Sequence, residues 1–582
     1  MVICEMMPQI TALPTMFLAQ LVLAAALSIV HAPVRAVSAD VWTQLNRTVG
    51  GKLHAGSPFS APCFSNVNGK PVAQDLAACD VVQQHFHDPI YRATQFGSMM
   101  NTQWEACQAT SRGCLLDPNN ASDPLAFENS TCFQGSIPPY YIDVRGVSDV
   151  QAALQFAKSS GVHLVIKNSG HDYKGRSSAP GALSLWVHNL NNDILIHNAS
   201  FVPEGCANAF DSITVGAGIG FRTVYEFADA NNVTFIGGYH QTVVPSGGWV
   251  QAAGHSVLSP VFGLGIDRVI EFKVVTPDGM VRVVNACQNP DLFWALRGGG
   301  GGTFGIVLES TFHVEKQMSL VVVFSNFNQT ATNTASWFQI LVDNAFKWGQ
   351  EGWGGHMKSS GLINVNPLLT LDEAKESVKD IMNYTLSQNG TFVIEELPSW
   401  LTFFTKYVLQ AEAGVGAEPA LASRLLPTSL FADEGGKATV HKVIVDALQL
   451  APTGPTIILG PPVLFNYTVN STSATPAWRD SLWHTNFSPL LDFNDTITQS
   501  KSAYEAASKI TQSLRDISPN SGAYFNEGNV YEFDHETSFW GPNYPKLLSI
   551  KRKYDPDGLL DCWQCVGTRG PNDSRFKCYL PL

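Results

Sequence analysis

Residues 140–177 read YYIDVRGVSDVQAALQFAKSSGVHLVIKNSGHDYKGRS, and the fold depends on how this stretch divides. YYIDV is a short apolar strand. Ser148-Asp149-Val150-Gln151 has capping-box spacing, VQAALQFAKSS carries apolar residues at helical intervals, and Gly161 supplies the stop. HLVIK, residues 163–167, is a second buried strand. Strand, capped helix and strand within ~30 residues make a βαβ unit, and ligands of such units sit beyond the carboxyl ends of the strands. That position falls on Lys167-Asn168-Ser169-Gly170-His171-Asp172-Tyr173-Lys174-Gly175-Arg176-Ser177. Its small residues let backbone N–H groups approach a phosphate, and Lys167 is placed to balance the charge. On these grounds alone His171 reads as a satisfied loop histidine.

Outward from this unit the chain continues as α+β. SITVG (212–216) is a strand and FRTVYEFADANN (221–232) an amphipathic helix. VIEFKVVTPDGMVRVV (269–284) is a hairpin turning at Pro277-Asp278-Gly279. A helix at 291–297 and a strand at 305–314 flank five glycines, 298–302. No Gly-Lys-Ser/Thr follows those glycines, so they are a packing turn rather than a nucleotide-triphosphate loop. From 318 to 518 helical runs such as 335–346 and 371–382 alternate with the strands VVVFS and TIILG. This is read as a second domain, an antiparallel sheet covered by helices. Residues 519–582 carry a helix from Pro545 to Tyr554 that ends at a Pro-Asp-Gly turn.

The chain has 582 residues, enough for two to four domains at ~100 to 200 residues each. A formal net charge of −13 with only 15% charged residues excludes an electrostatic nucleic-acid binder. Phe17–Val30 is an uncharged run followed by Val34-Arg35-Ala36, the pattern of a signal peptide over residues 1–36 and too short for a membrane anchor. Glu5 and the absence of Lys or Arg before the run depart from that pattern, leaving Met7 and Met16 as alternative starts. Asn-x-Ser/Thr sequons at Asn46, Asn120, Asn198, Asn328 and elsewhere fit a glycosylated, secreted protein. Beyond Cys4 the cysteines are even in number and are expected to pair, Cys562-x-x-Cys565 included, although the connectivity stays open. Residues 37–133, rich in Pro, Asn and Cys, are expected to be irregular and clamped by disulfides. No metal site is read.

Five motifs occur in one order: KNSGHDYKGRS (167–177), VGAGIG (215–220), PSGGWVQAAGHSVLSPVFGLGIDRV (245–269), NPDLFWALRGGGGGTFGIV (289–307) and FWGPNYPKLLSIKRKYDPDGLL (539–560). Together they resemble the vanillyl-alcohol-oxidase/berberine-bridge-enzyme superfamily of FAD-linked oxidoreductases, in its fungal isoamyl-alcohol-oxidase-like branch. The resemblance covers Tyr140 to about Val314 and the C-terminal stretch. It implies a two-part PCMH-type FAD-binding domain, 134–317 with 519–582, and a substrate domain at 318–518.

The resemblance further implies that His171 carries the flavin on its 8α-methyl carbon. A neutral imidazole nitrogen is a competent nucleophile there, and the bond raises the flavin's reduction potential. Relatives with a second, cysteinyl bond carry Cys where this chain has Gln241, so a single covalent link is expected. Lys167, Asn168, Ser169, Gly170, Asp172, Gly247, Gly248, Gly254, His255, Val307, Asn543 and Tyr544 fall at cofactor-contacting positions, with Ala252-Ala253 replacing glycines common there. Tyr524, Asn526 and Glu527 fall where relatives place catalytic groups. Extended-chain alternation would put Tyr524 and Asn526 on one face and Glu527 on the other. As a base, Glu527 would need burial to raise its pKa toward the working pH. Val244 aligns with a position governing oxygen access, and its modest size suits an oxidase.

The expected activity is oxidation of a small molecule bearing an alcohol or similarly activated carbon, with O₂ reduced to H₂O₂. Two alternatives stand beside it: an oxidative tailoring or cyclising enzyme of fungal secondary metabolism, and a flavin-free binding protein of the same fold. Neither substrate identity nor oligomeric state is legible.

Overall fold

The computed structural model describes residues 37–582, so the expected signal peptide lies outside the described residues. Tyr140–Asp143 and Leu164–Lys167 are strands and Val147–Ser160 is the helix between them. Gly161 ends that helix in the left-handed region at φ 74°, where a side chain would be strained. The start differs from the capping-box expectation. Gly146 is the N-cap, and Asp149 rather than Gln151 reaches back to accept a hydrogen bond from the Arg145 N–H at 2.9 Å. The two strands do not touch. Leu183–Trp186 lies between them, parallel to both.

The 37–133 region is more ordered than expected. Ala39–Thr48 is a helix whose Leu45 joins the core of the βαβ unit. Leu53–Ala55 pairs antiparallel with Tyr140–Asp143 and completes a four-stranded sheet. Three disulfides hold the rest: Cys63–Cys79, Cys114–Cys132 and Cys107–Cys578, the last tying this region to the C-terminus. Cys206–Cys287 and Cys562–Cys565 complete the set.

A second, five-stranded antiparallel sheet has the order 281–285, 269–275, 306–313, 210–216, 195–201. Its hairpin turns where expected, with Gly279 at φ 80°. Val275, Ile306 and Leu308 pack with Val150 and Leu154 of the first helix, fusing the two sheets through one apolar core.

The third sheet has seven antiparallel strands in the order 391–397, 320–326, 361–366, 354–358, 456–459, 481–487, 422–427. Thr334–Glu351, Glu434–Ala447 and Ile497–Ile517 contribute to the core on one side of it. Strand alternation divides its residues. Val321 and Val323 join the core beneath those helices, whereas Phe324, His356, Ile363 and Ile458 line a cavity. The single helix expected at 371–382 is two, Leu371–Ser377 and Lys379–Ser387, parted at Val378. Among the described residues no helix is long and apolar enough to cross a membrane.

Candidate active site

The cavity, about 700 Å³, lies between the seven-stranded sheet and the loops that leave the other two sheets. Its floor carries Asn168, Ser169, Gly170, His171 and Asp172, with Gly247, Gly248 and Val307. Thus the loop after Leu164–Lys167 sits where a βαβ ligand site belongs. The glycine run 298–302 is a tightly packed turn. A β-carbon on Gly298 would fall 2.1 Å from the Ala474 nitrogen, and one on Gly301 would fall 2.9 Å from the Gly248 Cα.

His171 is neutral: burial, then the neighbouring His240, hold its pKa well below the usual imidazole value. Its Nε2 lies 2.7 Å from Thr242 Oγ1, which leaves Nδ1 free to bond carbon. Asp172, on the same floor, is paired with Arg176, whose Nε donates to its Oδ1 at 2.9 Å. Gln241, at the position of the relatives' cysteine, donates from its backbone N–H to Glu412 at 3.0 Å.

Glu527 stands at another wall of the cavity. His255 Nε2 lies 3.0 Å from its Oε1, Asn486 donates to its Oε2 at 3.2 Å, and His484 Nδ1 lies 3.8 Å from that oxygen. The sequence expectation for its pKa is overturned. Burial pushes it up, but His255, with His484 and His356, outweighs burial and holds the carboxyl at about 2. Burial in turn lowers His484 to about 4 and His356 to about 3. At neutral pH the cluster is a carboxylate among imidazoles, two of which are held neutral by burial. Neither ring nitrogen of His484, nor Nδ1 of His356, has a hydrogen-bond partner among the described residues. His255, His484 and Glu527 also bring one donor atom each within 4.8 Å of one another. A metal ion would accept that spacing, a donor set the sequence did not reveal.

The alternation argument for 524–527 fails because this segment is a turn, with the Gly528 N–H bonded to the Tyr524 carbonyl at 2.7 Å. Tyr524, Asn526 and Glu527 therefore all line the cavity, while Phe525 packs against Phe539 and Trp540. Asn526 knits three wall segments. It accepts from Arg176 at 3.0 Å and donates to the Gly248 carbonyl at 3.0 Å and to the Tyr524 hydroxyl at 2.9 Å.

Four expected cofactor contacts do not reach the cavity. Lys167 is fully buried, donating to the Gln95 carbonyl at 2.9 Å, and burial lowers its pKa to about 7 against the pull of Glu105. Gly254 lies behind the wall, where a β-carbon would press on Trp249 and Gly265. Asn543 donates to the Ala474 carbonyl at 2.9 Å, and the Tyr544 hydroxyl accepts from Gly567. Both belong to the turn and helix start that pack the C-terminal segment. Conversely, His240, Tyr239 and His356 line the cavity without having been singled out, and Asn486, which the sequence offers as a glycosylation sequon, is instead buried in the cavity wall with its amide donating to Glu527. The aromatic residues Trp337, Trp348, Trp353, Trp400, Phe403, Phe404 and Tyr407 of 318–518 are buried core.

Comparison with known proteins agrees with this geometry. The FAD binding domain family matches residues 138–285, and the berberine and berberine like family matches residues 523–566. The FAD-linked oxidoreductase ffsJ of Aspergillus flavipes is 39% identical over 574 residues, covering 92% of this chain and 93% of the relative. The bifunctional decalin synthase calF of Penicillium decumbens is 30% identical over 549 residues, covering 91% of each chain. The VAO-type flavoprotein MtVAO615 of Myceliophthora thermophila superposes with a TM-score of 0.79 at 27% identity, over 92% of this chain and 96% of that one. The chain is an FAD-linked oxidoreductase. It belongs to the vanillyl-alcohol-oxidase/berberine-bridge-enzyme-like superfamily, with that superfamily's PCMH-type FAD-binding fold and an antiparallel substrate sheet covered by helices.

The cavity fits the family's cofactor. A β-carbon on Gly248 would meet nothing within 4 Å, and one on Gly247 nothing nearer than 3.7 Å, so this backbone borders open volume. Asn168 Oδ1 and Gln251 Oε1 are buried at the same wall without hydrogen-bond partners among the described residues, acceptors waiting for a polar ligand.

Proposed function

We propose that this protein is a secreted oxidase whose FAD is attached once, through His171, and which takes hydride from an alcohol or similarly activated carbon. When bound, the flavin supplies an electron-pair sink that accepts the hydride and hands its electrons to O₂, giving H₂O₂. The floor is the FAD-binding part, 134–317 with 519–582, and 318–518 roofs the substrate. Asn168, Ser169, Gly170, Gly247, Gly248 and Val307 would hold the cofactor.

The observation that carries this reading is the placement of a neutral His171 and a charged Glu527 in one cavity. Glu527 accepts the hydrogen bond of the substrate hydroxyl and polarises it. As hydride leaves, the hydroxyl proton passes into the Glu527–His255–His484 cluster, where His484 keeps a free lone pair. Tyr524 accepts from Asn526 and holds that amide at the cavity wall beside Glu527. Val244, lining the cavity, leaves room for O₂.

Denaturation in trichloroacetic acid followed by gel fluorescence tests the cofactor. The protein should retain its flavin, and peroxide should appear with members of an alcohol panel. A colourless protein after expression with ample riboflavin would remove the proposal. The kinship with a decalin synthase favours a second reading, oxidative tailoring of a secondary metabolite, in which an intramolecular nucleophile captures the oxidised carbon. Peroxide with simple alcohols separates the two. The five disulfides support an oxidising compartment.

A further inference from the structure

The residues behind His171 form a chain with a direction. His171 Nε2 lies 2.7 Å from Thr242 Oγ1, and Thr242 Oγ1 lies 3.3 Å from His240 Nδ1. The Thr242 backbone N–H also points at His240 Nδ1, at 3.3 Å, which makes that nitrogen an acceptor. Glu412 Oε2 lies 3.7 Å from the same nitrogen, held by the Gln241 backbone N–H at 3.0 Å and by the Gln241 side chain. His240 and Glu412 are both about nine-tenths buried. Such a row of donors and acceptors in low dielectric is costly unless it is used or fully satisfied.

We infer that Thr242 and His240 form a proton relay that drives covalent attachment of the flavin to His171, with Glu412 stabilising the charge that arrives. The inference rests on the reading that His171 is the attachment site. As the Nδ1 lone pair bonds to the 8α-carbon, one C–H bond of that methyl group breaks and releases a proton. The electron pair of the broken bond stays on the flavin ring. His171 would become an imidazolium in a site that rejects its charge. It sheds the Nε2 proton to Thr242 Oγ1, which passes its own to His240 Nδ1, and Glu412 balances the new cation. O₂ then removes the two electrons with two protons as H₂O₂, restoring the oxidised ring. Thr242 and His240 are positioning residues that act through His171. Gln241, standing where relatives carry a second flavin-bonding cysteine, serves instead to fix Glu412.

The test is the rate of covalent attachment when full-length protein, produced under riboflavin limitation, is mixed with FAD. Acid-stable fluorescence gives attachment, and the visible spectrum gives total binding. Wild type should convert all bound flavin to the acid-stable form. Thr242→Val should bind FAD with unchanged affinity but attach it about 100-fold more slowly or worse, the range expected for loss of acid–base assistance. Thr242→Ser should restore the rate, and His240→Gln should repeat the defect. Attachment by Thr242→Val at the wild-type rate, or a defect that Thr242→Ser does not rescue, overturns the relay while leaving His171 as the site. Should Thr242→Val not fold, His240→Gln against wild type decides by the same rates. Flavin that wild type binds but releases to acid overturns the attachment reading, and the relay with it.

Discussion

Two histidine–carboxylate groups face each other across one cavity, and they differ in how fully they are bonded. Around His171, contacts run unbroken through Thr242 and His240 to Glu412. Around Glu527, the carboxylate is bonded but His484 and His356 keep nitrogens without partners among the described residues. A buried imidazole nitrogen without a partner is destabilising, by about 1 to 3 kcal/mol for an ordinary polar group. Among the described residues the first group leaves one buried nitrogen unpartnered, His240 Nε2, away from His171 itself, whereas the second leaves three, on His484 and His356 beside its carboxylate, and so has more to offer a partner that comes and goes. One end suits a permanent cofactor, the other a substrate.

The sharpest way to break this contrast is to disable each end separately. His171→Ala should abolish acid-stable flavin altogether, measured as fluorescence of the denatured band, while Glu527→Gln should leave it at the wild-type level. Loss in both variants would mean that the ends are not independent. Glu527→Gln should instead slow anaerobic flavin reduction by substrate about 10²- to 10⁴-fold, followed by stopped-flow bleaching of the visible band.

The acid side of the pH profile sharpens the comparison further. The open cluster accepts protons only while His484 is neutral, and burial lowers that pKa to about 4. Activity should hold from neutral pH downward and fall as pH drops through about 4, where His484 gains a proton and the cluster loses its acceptor. Glu527, at about 2, titrates later. An acid limb near the ordinary imidazole value would show that the cluster is wetter than its burial implies. His484→Phe should remove the limb near 4.

Much of the flavin-side fold was legible because it is local. The helix between Tyr140–Asp143 and Leu164–Lys167, its stop at Gly161 and the hairpin at Gly279 are each written in neighbouring residues. The insertion of Leu183–Trp186 between the two strands was not, since strand order is a long-range choice. His171 was singled out through the resemblance carried by five motifs in order, since its loop alone reads as structural. Lys167 misled because a lysine at a strand end looks solvated or phosphate-bound, and only tertiary packing places it with Glu105 and Arg92. The open cluster was hardest to see: Glu527 comes from a turn, His255 from a loop, and His484 and Asn486 from a strand 481–487 that reads as plain core. A signal was nevertheless present. His484 and Asn486 are two apart, on the opposite face from Trp483 and Phe487, so two side chains able to bond a carboxylate share one side of the strand.

The smallest expected effect concerns the joint between the two ends. Asn526 bonds to Arg176, which holds the His171 loop through Asp172, and also to Gly248 and Tyr524. Tyr524→Phe removes only one of these three bonds, on the side nearer Glu527. One neutral hydrogen bond contributes about 0.5 to 1.5 kcal/mol, so kcat/KM should fall only about 2- to 13-fold, with attachment of the flavin untouched. Asn526→Ala severs all three and should lower both attachment rate and kcat/KM, since it loosens the His171 loop and the Glu527 turn together. If Asn526→Ala matched Tyr524→Phe in both measurements, the bonds to Arg176 and Gly248 would contribute nothing, and the two ends would be held in register by the surrounding core alone.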